Sequence, residues 1–307
     1  VQYKMAGSPR WLQAFYKAYF AFWIPALAWA ATWWPLGLMY WMARWLVILP
    51  FNLVRPKYLR VVRRNTSRIL GLPPEHPEVK RVALAMMWEH AYHWVDFFRY
   101  AQLSPEEVAA NIAALEGWER FLSARESGRG TLLLTAHMGN PEVGAIALGK
   151  HVEKVHVLYW RDRFAKAEEF RAKMRKLGNV QGIPVDASPL SVVPALRVLR
   201  SGGLLACHGD RDFNDQGWPV EFFGAPAKFP PGPFMLAARG RALVLPAFFL
   251  VDAQRKFRVF YEEPFELPED TSEAALRPFL ERWVRMLEAR IREHPHQWYC
   301  FYPFWGS

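Results

Sequence analysis

From residue 130 onward, short apolar runs alternate with amphipathic stretches. Thr131–Thr135, Val155–Tyr159, Val180–Val185, Leu204–Cys207, Ala242–Leu250 and Phe257–Tyr261 are each brief and apolar, which predicts buried strands. Between them, Val143–Leu148, Phe164–Leu177, Pro189–Arg200, Phe234–Arg239 and Glu273–Glu293 predict helices. Upstream, residues 57–126 read as helical. Pro77–Leu103 carries Val82, Met86, Trp88, Trp94, Phe97 and Phe98 at helical spacing, and Ser104-Pro105-Glu106-Glu107 is a helix start with its cap. This pattern predicts an α/β fold, a mixed central sheet flanked by helices, with sites at the carboxyl ends of strands.

The N-terminal part has a different pattern. Ala18–Ala43 contains no charged residue and is long enough to span a bilayer, although Pro25 and Pro35 interrupt it. It therefore predicts either a spanning helix or helices lying in the interface. Arg44, Arg55, Lys57, Arg60, Arg63 and Arg64 follow it, and the positive-inside bias places the main body on the cytoplasmic side of the membrane. Two units result: membrane-anchoring or interfacial helices over 1–56 and an α/β domain over 57–307.

Composition sharpens the membrane reading. Of 307 residues, 52% are apolar and 16% aromatic, and 15 are Trp, a load that suits a membrane interface. The net charge of +10 favours anionic partners. The basic residues are dispersed rather than clustered, which argues against nucleic acid. Cys207 and Cys300 are the only cysteines, so no disulfide framework is implied.

The chemistry starts at Gly130–Glu142. A strand ends before His137. Asn140 is suited to cap a helix, Pro141 to its first position and Glu142 to its first turn. If the Gly139-Asn140-Pro141 turn doubles the chain back, Glu142 can orient His137 as a general base. The plain structural alternative is a hydrogen-bonding histidine at a strand end. Arg161, just past a strand, is placed at the same sheet edge to hold an oxyanion or phosphate, or is a surface arginine. Asp210-Arg211-Asp212 also follows a strand; it is a self-contained ion-pair turn, or it orients a polar substrate or braces the catalytic pair. Residues 220–233, with Phe222, Phe223, Gly224 and the single cation Lys228, read as a rigid loop along a substrate channel, or as turn chemistry alone.

Other chemistries are disfavoured. There is no G-x-S-x-G elbow and no glycine-rich phosphate loop. Cys207 and His208 are adjacent on a strand and point to opposite faces. His90 and His93 read as core or interface residues, and His294 and His296 lack further ligands at metal spacing.

In this order, the His137-x4-Glu142 motif, Asp210-Arg211-Asp212 followed by Phe222-Phe223-Gly224, Pro230-Pro231-Gly232-Pro233, and the terminal Pro295-His296-Gln297-Trp298 resemble the bacterial lipid A biosynthesis acyltransferases. These are late, lauroyl/myristoyl-type enzymes of the lysophospholipid-acyltransferase-like superfamily, a family that includes phosphatidylinositol mannoside acyltransferases. Pro141 and the aromatic C-terminus depart from the family pattern. The resemblance implies a membrane-bound O-acyltransferase that needs no metal or acyl-enzyme. Acyl-acyl carrier protein, or alternatively acyl-CoA, would be the co-substrate, and a lipid A precursor or related glycolipid the acceptor. Alternatives are another amphiphilic acceptor or a non-catalytic lipid-binding protein of the same fold. His137, Glu142 and Arg161 would be catalytic. Asn140, Asp210, Arg211, Asp212, Phe222, Phe223, Gly224 and Lys228 would contact substrate.

Overall fold

In the computed structural model, the residues described are 26, 29–49, 52, 56–160, 165–186 and 188–306. Among the described residues, helical residues 26 and 29–33 come first and four helices follow. They are α1 (Leu36–Met42), which continues as a π-helical turn over Ala43–Ile48, α2 (Pro56–Leu70), α3 (Pro77–Tyr100) and α4 (Pro105–Ala109). The capping box read at Ser104 forms, with Ser104 and Glu107 each satisfying the other's backbone amide.

The α/β part follows: β1 (Ile112–Glu116), α5 (Trp118–Glu126), β2 (Thr131–Thr135), α6 (Pro141–His151), β3 (Val155–Trp160), α7 (Ala165–Leu177), β4 (Val180–Val185), α8 (Val193–Arg200) and β5 (Leu204–His208). Then come β6 (Trp218–Phe222), β7 (Ala225–Phe229), α9 (Gly232–Gly240), β8 (Leu243–Val251), β9 (Phe257–Tyr261) and α10 (Glu273–Glu293). Seven strands form one sheet in the order β1-β9-β8-β2-β5-β3-β4. β8 pairs parallel to β2, β2 to β5, β5 to β3 and β3 to β4, while β9 runs antiparallel to β8. The sheet is therefore mixed, as the alternation predicts. Every residue of β2 is buried, which explains a continuous apolar run in place of a two-residue alternation.

Two expectations are corrected. Residues 112–116, read as helical, form the edge strand β1, because Ile112-Ala113-Ala114-Leu115-Glu116 pairs in parallel with β9. Tertiary pairing overrides a weak helical propensity there. Residues 220–233, read as a loop, contain a two-stranded antiparallel hairpin, β6–β7. Its turn residues Phe223 and Gly224 both have positive φ, 50° and 70°, as a tight hairpin of this hand requires. Of the predicted membrane segment Ala18–Ala43, residues 18–25 and 27–28 lie outside the described residues. Among the described residues no helix is long and apolar enough to cross a membrane. Pro35 sits at the N-cap of α1 and separates it from the preceding helical residues.

Candidate active site

β2 and β5 are hydrogen-bonded parallel neighbours, with Thr135 opposite His208. His137 and Asp210 each lie two residues beyond that pair, so both emerge at the same carboxyl edge. The His137 Nδ1 stands 2.7 Å from Oδ1 of Asp210. The other oxygen, Oδ2, accepts from the backbone N–H of His137 at 3.1 Å and from the indole Nε1 of Trp298 at 3.1 Å. Asp210 is fully buried. A buried carboxylate that takes three donors is held ionised: burial alone would raise its pKa, but His137 and then Arg211 hold it well below the carboxylate range. An ionised carboxylate only accepts, so Nδ1 carries the hydrogen and the lone pair lies on Nε2.

The imidazole is partly open, its side chain 24% exposed. Burial of the ring, helped by the Arg211 cation and opposed by Asp210, lowers its pKa to about 4. At neutral pH the ring is a free base, oriented by a carboxylate, with Nε2 available. This is the arrangement of a general base with its orienting acid.

The C-terminal segment holds the base from the other side. Tyr299 N–H donates to the carbonyl of His137 at 2.8 Å, and Gly139 N–H donates to that of Gln297 at 2.8 Å. The Gln297 side chain clips the end of β8, donating to Val251 O at 2.7 Å and accepting from Val251 N–H at 2.9 Å. Gly139 has φ +61°, and a Cβ there would stand 1.9 Å from the carbonyl oxygen of Phe249. Only glycine fits that position.

Glu142 is not the partner of His137, which corrects the expectation of a local pair. Its carboxylate is bound by Arg175 of α7, at 3.1 Å from Nε and 2.5 Å from Nη2. Arg175 is buried and Glu142 largely so, and the guanidinium also stacks over Tyr159, 4.6 Å from its centroid. Burial would raise the Glu142 pKa, but Arg175 overrides it and lowers it to about 2. The fork of the guanidinium engages both oxygens, so the carboxylate ties α6 to α7.

The remaining candidates are placed as follows. Asn140 is fully buried; it accepts from Val143 N–H at 3.3 Å as the helix cap and donates to the His93 carbonyl at 3.1 Å. Arg211 donates to the Tyr299 carbonyl and lies over the Tyr302 ring. Asp212 accepts from the backbone of Gln216 and Gly217 and shapes its own loop. Phe222 and Phe223 are buried against Trp305, and Gly224 turns the hairpin. Lys228 pairs with Asp215 at the surface, 2.6 Å apart. Arg161 lies outside the described residues.

Two residues not named as site candidates from the sequence stand at the site, Trp298 on Asp210 and His208 against His137, the two imidazole centroids 4.1 Å apart. The Gln-Trp pair near the end of the chain was a signal for the first. His208 had none beyond its position at a strand end.

The family profile described as "Bacterial lipid A biosynthesis acyltransferase" matches residues 19–307. A phosphatidylinositol mannoside acyltransferase of Mycolicibacterium smegmatis is 23% identical over 252 residues, which cover 80% of this chain and 78% of that protein. A protein of the same description from Mycobacterium tuberculosis strain H37Rv is 22% identical over 254 residues, covering 80% of this chain and 76% of its own.

Proposed function

The chain belongs to the bacterial lipid A biosynthesis acyltransferase family and is an acyltransferase, and we propose that it moves a fatty acyl chain from an acyl thioester to a glycolipid hydroxyl with His137 as general base. The observation that carries the reading is the His137–Asp210 pair at the carboxyl edge of β2 and β5. In this reaction Nε2 of His137 takes the proton of the acceptor hydroxyl as its oxygen attacks the thioester carbonyl. Asp210 stabilises the imidazolium that forms. Collapse of the tetrahedral intermediate expels the thiolate, which takes the proton back from Nε2, so an ester and a thiol leave. Arg161 follows directly on β3, which pairs with β5 beside the site, and it is our candidate for stabilising the oxyanion or a substrate phosphate.

For the acceptor, the mannoside relatives support a phosphatidylinositol mannoside at least as well as a lipid A precursor, and both offer sugar hydroxyls on a lipid. For the donor, exposed Lys173 and Lys176 of α7 suit the acidic acyl carrier protein. Arg175 of the same helix is buried against Glu142 and contributes nothing to that surface. For location, Trp33 is 72% exposed, Trp29 60% and Trp41 53%, an aromatic load that suits attachment in the plane of the inner membrane. Exposed Lys57, Arg60 and Arg64 of α2 complement anionic headgroups on the cytoplasmic leaflet.

The test is transfer of a radiolabelled acyl chain from acyl-acyl carrier protein, and separately from acyl-CoA, into total lipid extract. A labelled lipid with wild type and none with His137→Ala is the expected result, and its mobility identifies the acceptor. Retained transfer in the His137→Ala protein would overturn the mechanism.

A further inference from the structure

The loop geometry around His137 accounts for one edge of its ring but not for its face. Asp210 fixes Nδ1, and nothing in that hydrogen bond prevents the ring from rocking about it. The face is covered by a second imidazole. His208, the last residue of β5, lies beside Thr135 in the strand register, and its ring is 24° from parallel with that of His137 at a centroid separation of 4.1 Å. Among the described residues the His208 ring makes no hydrogen bond. It also lines a narrow slot with Leu133, Ala145, Val157 and Phe249. Phe213 approaches His137 edge-on at 6.4 Å.

We propose that His208 is a positioning residue for the transfer reaction, its ring lying flat against His137 to keep that imidazole in the plane of the Asp210 carboxylate with Nε2 toward the acceptor. The inference rests on the reading of His137 as general base. A second contribution follows from the same contact. When His137 takes the acceptor's proton it becomes a cation, and an uncharged aromatic face against it is attractive. That attraction exists only once the proton has moved, so it favours the transition state over the bound substrate. It requires an uncharged His208, and burial, reinforced by His137, lowers the pKa of His208 to about 3. The charged and titratable groups around the two rings are Asp210 and Arg211 from the loop after β5, His90 and His93 of α3, and Glu142 of α6.

Three substitutions separate stacking from other roles: His208→Ala removes the face, His208→Phe keeps it without nitrogen, and His208→Gln keeps polarity without a face. Each full-length variant is assayed with acyl-acyl carrier protein and the acceptor lipid that the wild type labels. The expectation is a kcat lower by on the order of 10–100-fold in His208→Ala and His208→Gln with KM little changed, because a misplaced base loses near-attack geometry. His208→Phe should recover kcat to within about threefold, since the phenyl ring supplies the same face. A wild-type kcat in His208→Ala, or recovery by Gln and not by Phe, would overturn the proposal. Should the Ala variant fail to fold, the comparison of Phe with Gln decides alone.

If His137→Ala itself transfers acyl groups, the reading of the base has failed. If it is inactive while His208→Ala is unimpaired, only the present inference has.

Discussion

Nδ1 of His137 and Oδ1 of Asp210 are 2.7 Å apart although 73 residues of chain separate them. The contact exists because β2 and β5 are neighbours in the sheet and each chain leaves its strand at the same level. Asp210→Asn should therefore lower kcat by on the order of 10²–10⁴-fold, since it removes the charge that stabilises the imidazolium. The amide would also present a donor or an uncharged acceptor to Nδ1 and relax the choice of tautomer. Steady-state kinetics of acyl transfer check this, and near-normal kcat would show that Asp210 does not serve the base.

Glu142→Gln should act on stability. The change leaves Arg175 buried without its counter-charge, a loss of about 3–5 kcal/mol for a buried pair broken on one side. The pH dependence has a definite sign. With the folded pKa lowered to about 2 from 4.5, the stabilisation is fully present above pH 4.5 and is lost as pH falls through 2. Thermal melts of wild type and Glu142→Gln across that range should converge at the acid end. Equal Tm values at neutral pH would contradict the role assigned to the pair.

Trp298→Phe keeps the aromatic bulk and deletes one donor to Asp210. A hydrogen bond to a charged group contributes about 1.5–3 kcal/mol. If half of that is expressed in the orientation of Asp210, kcat should fall by roughly 4–12-fold with KM unchanged. A fall in Tm with unaltered kcat would assign Trp298 to packing alone, against Phe222, Phe304 and Trp305.

The acid limb of kcat/KM should reflect His137. The ring must be unprotonated to act, and burial together with Arg211 lowers its pKa to about 4. Activity should thus persist down to about pH 4 and decline below it, where an exposed histidine would already fail near pH 6.5. Arg211→Gln removes the nearby cation and should move the limb upward. A limb near 6.5 in the wild type would mean that the ring is solvated in the working enzyme.

Vesicle binding tests the aromatic surface. Trp33 and Trp41, both more than half exposed, should be replaceable by Ala without loss of Tm. The double variant should partition less into vesicles containing anionic lipid than the wild type, and binding should weaken with salt because Lys57, Arg60 and Arg64 act through charge. Equal partitioning of the two proteins in a sedimentation assay would remove those tryptophans from the lipid contact.

The sequence by itself determined the central strands β2 to β5, β8 and β9 and the helices between them, because burial on both faces turns a central strand into an unbroken apolar run and caps mark helix starts. It also located His137 at a strand end and the Asn140–Pro141 helix start, since both depend on residues a few positions apart. It offered the Asp210 turn as a brace of the catalytic pair among other readings, and it marked the Gln297-Trp298 pair without its partner. What only the tertiary structure decided is who faces whom. The local spacing offered Glu142 to His137, but Pro141 starts a helix whose first turn directs that carboxylate to Arg175, while strand pairing delivers Asp210. β1 is a strand only because β9 offers it a partner, and the β6–β7 hairpin depends on positive φ at Phe223, which no side-chain preference announces. The stacking of His208 on His137 has the same origin: an alternating strand pattern tells which face a residue takes, and only the neighbouring strand tells what stands against it.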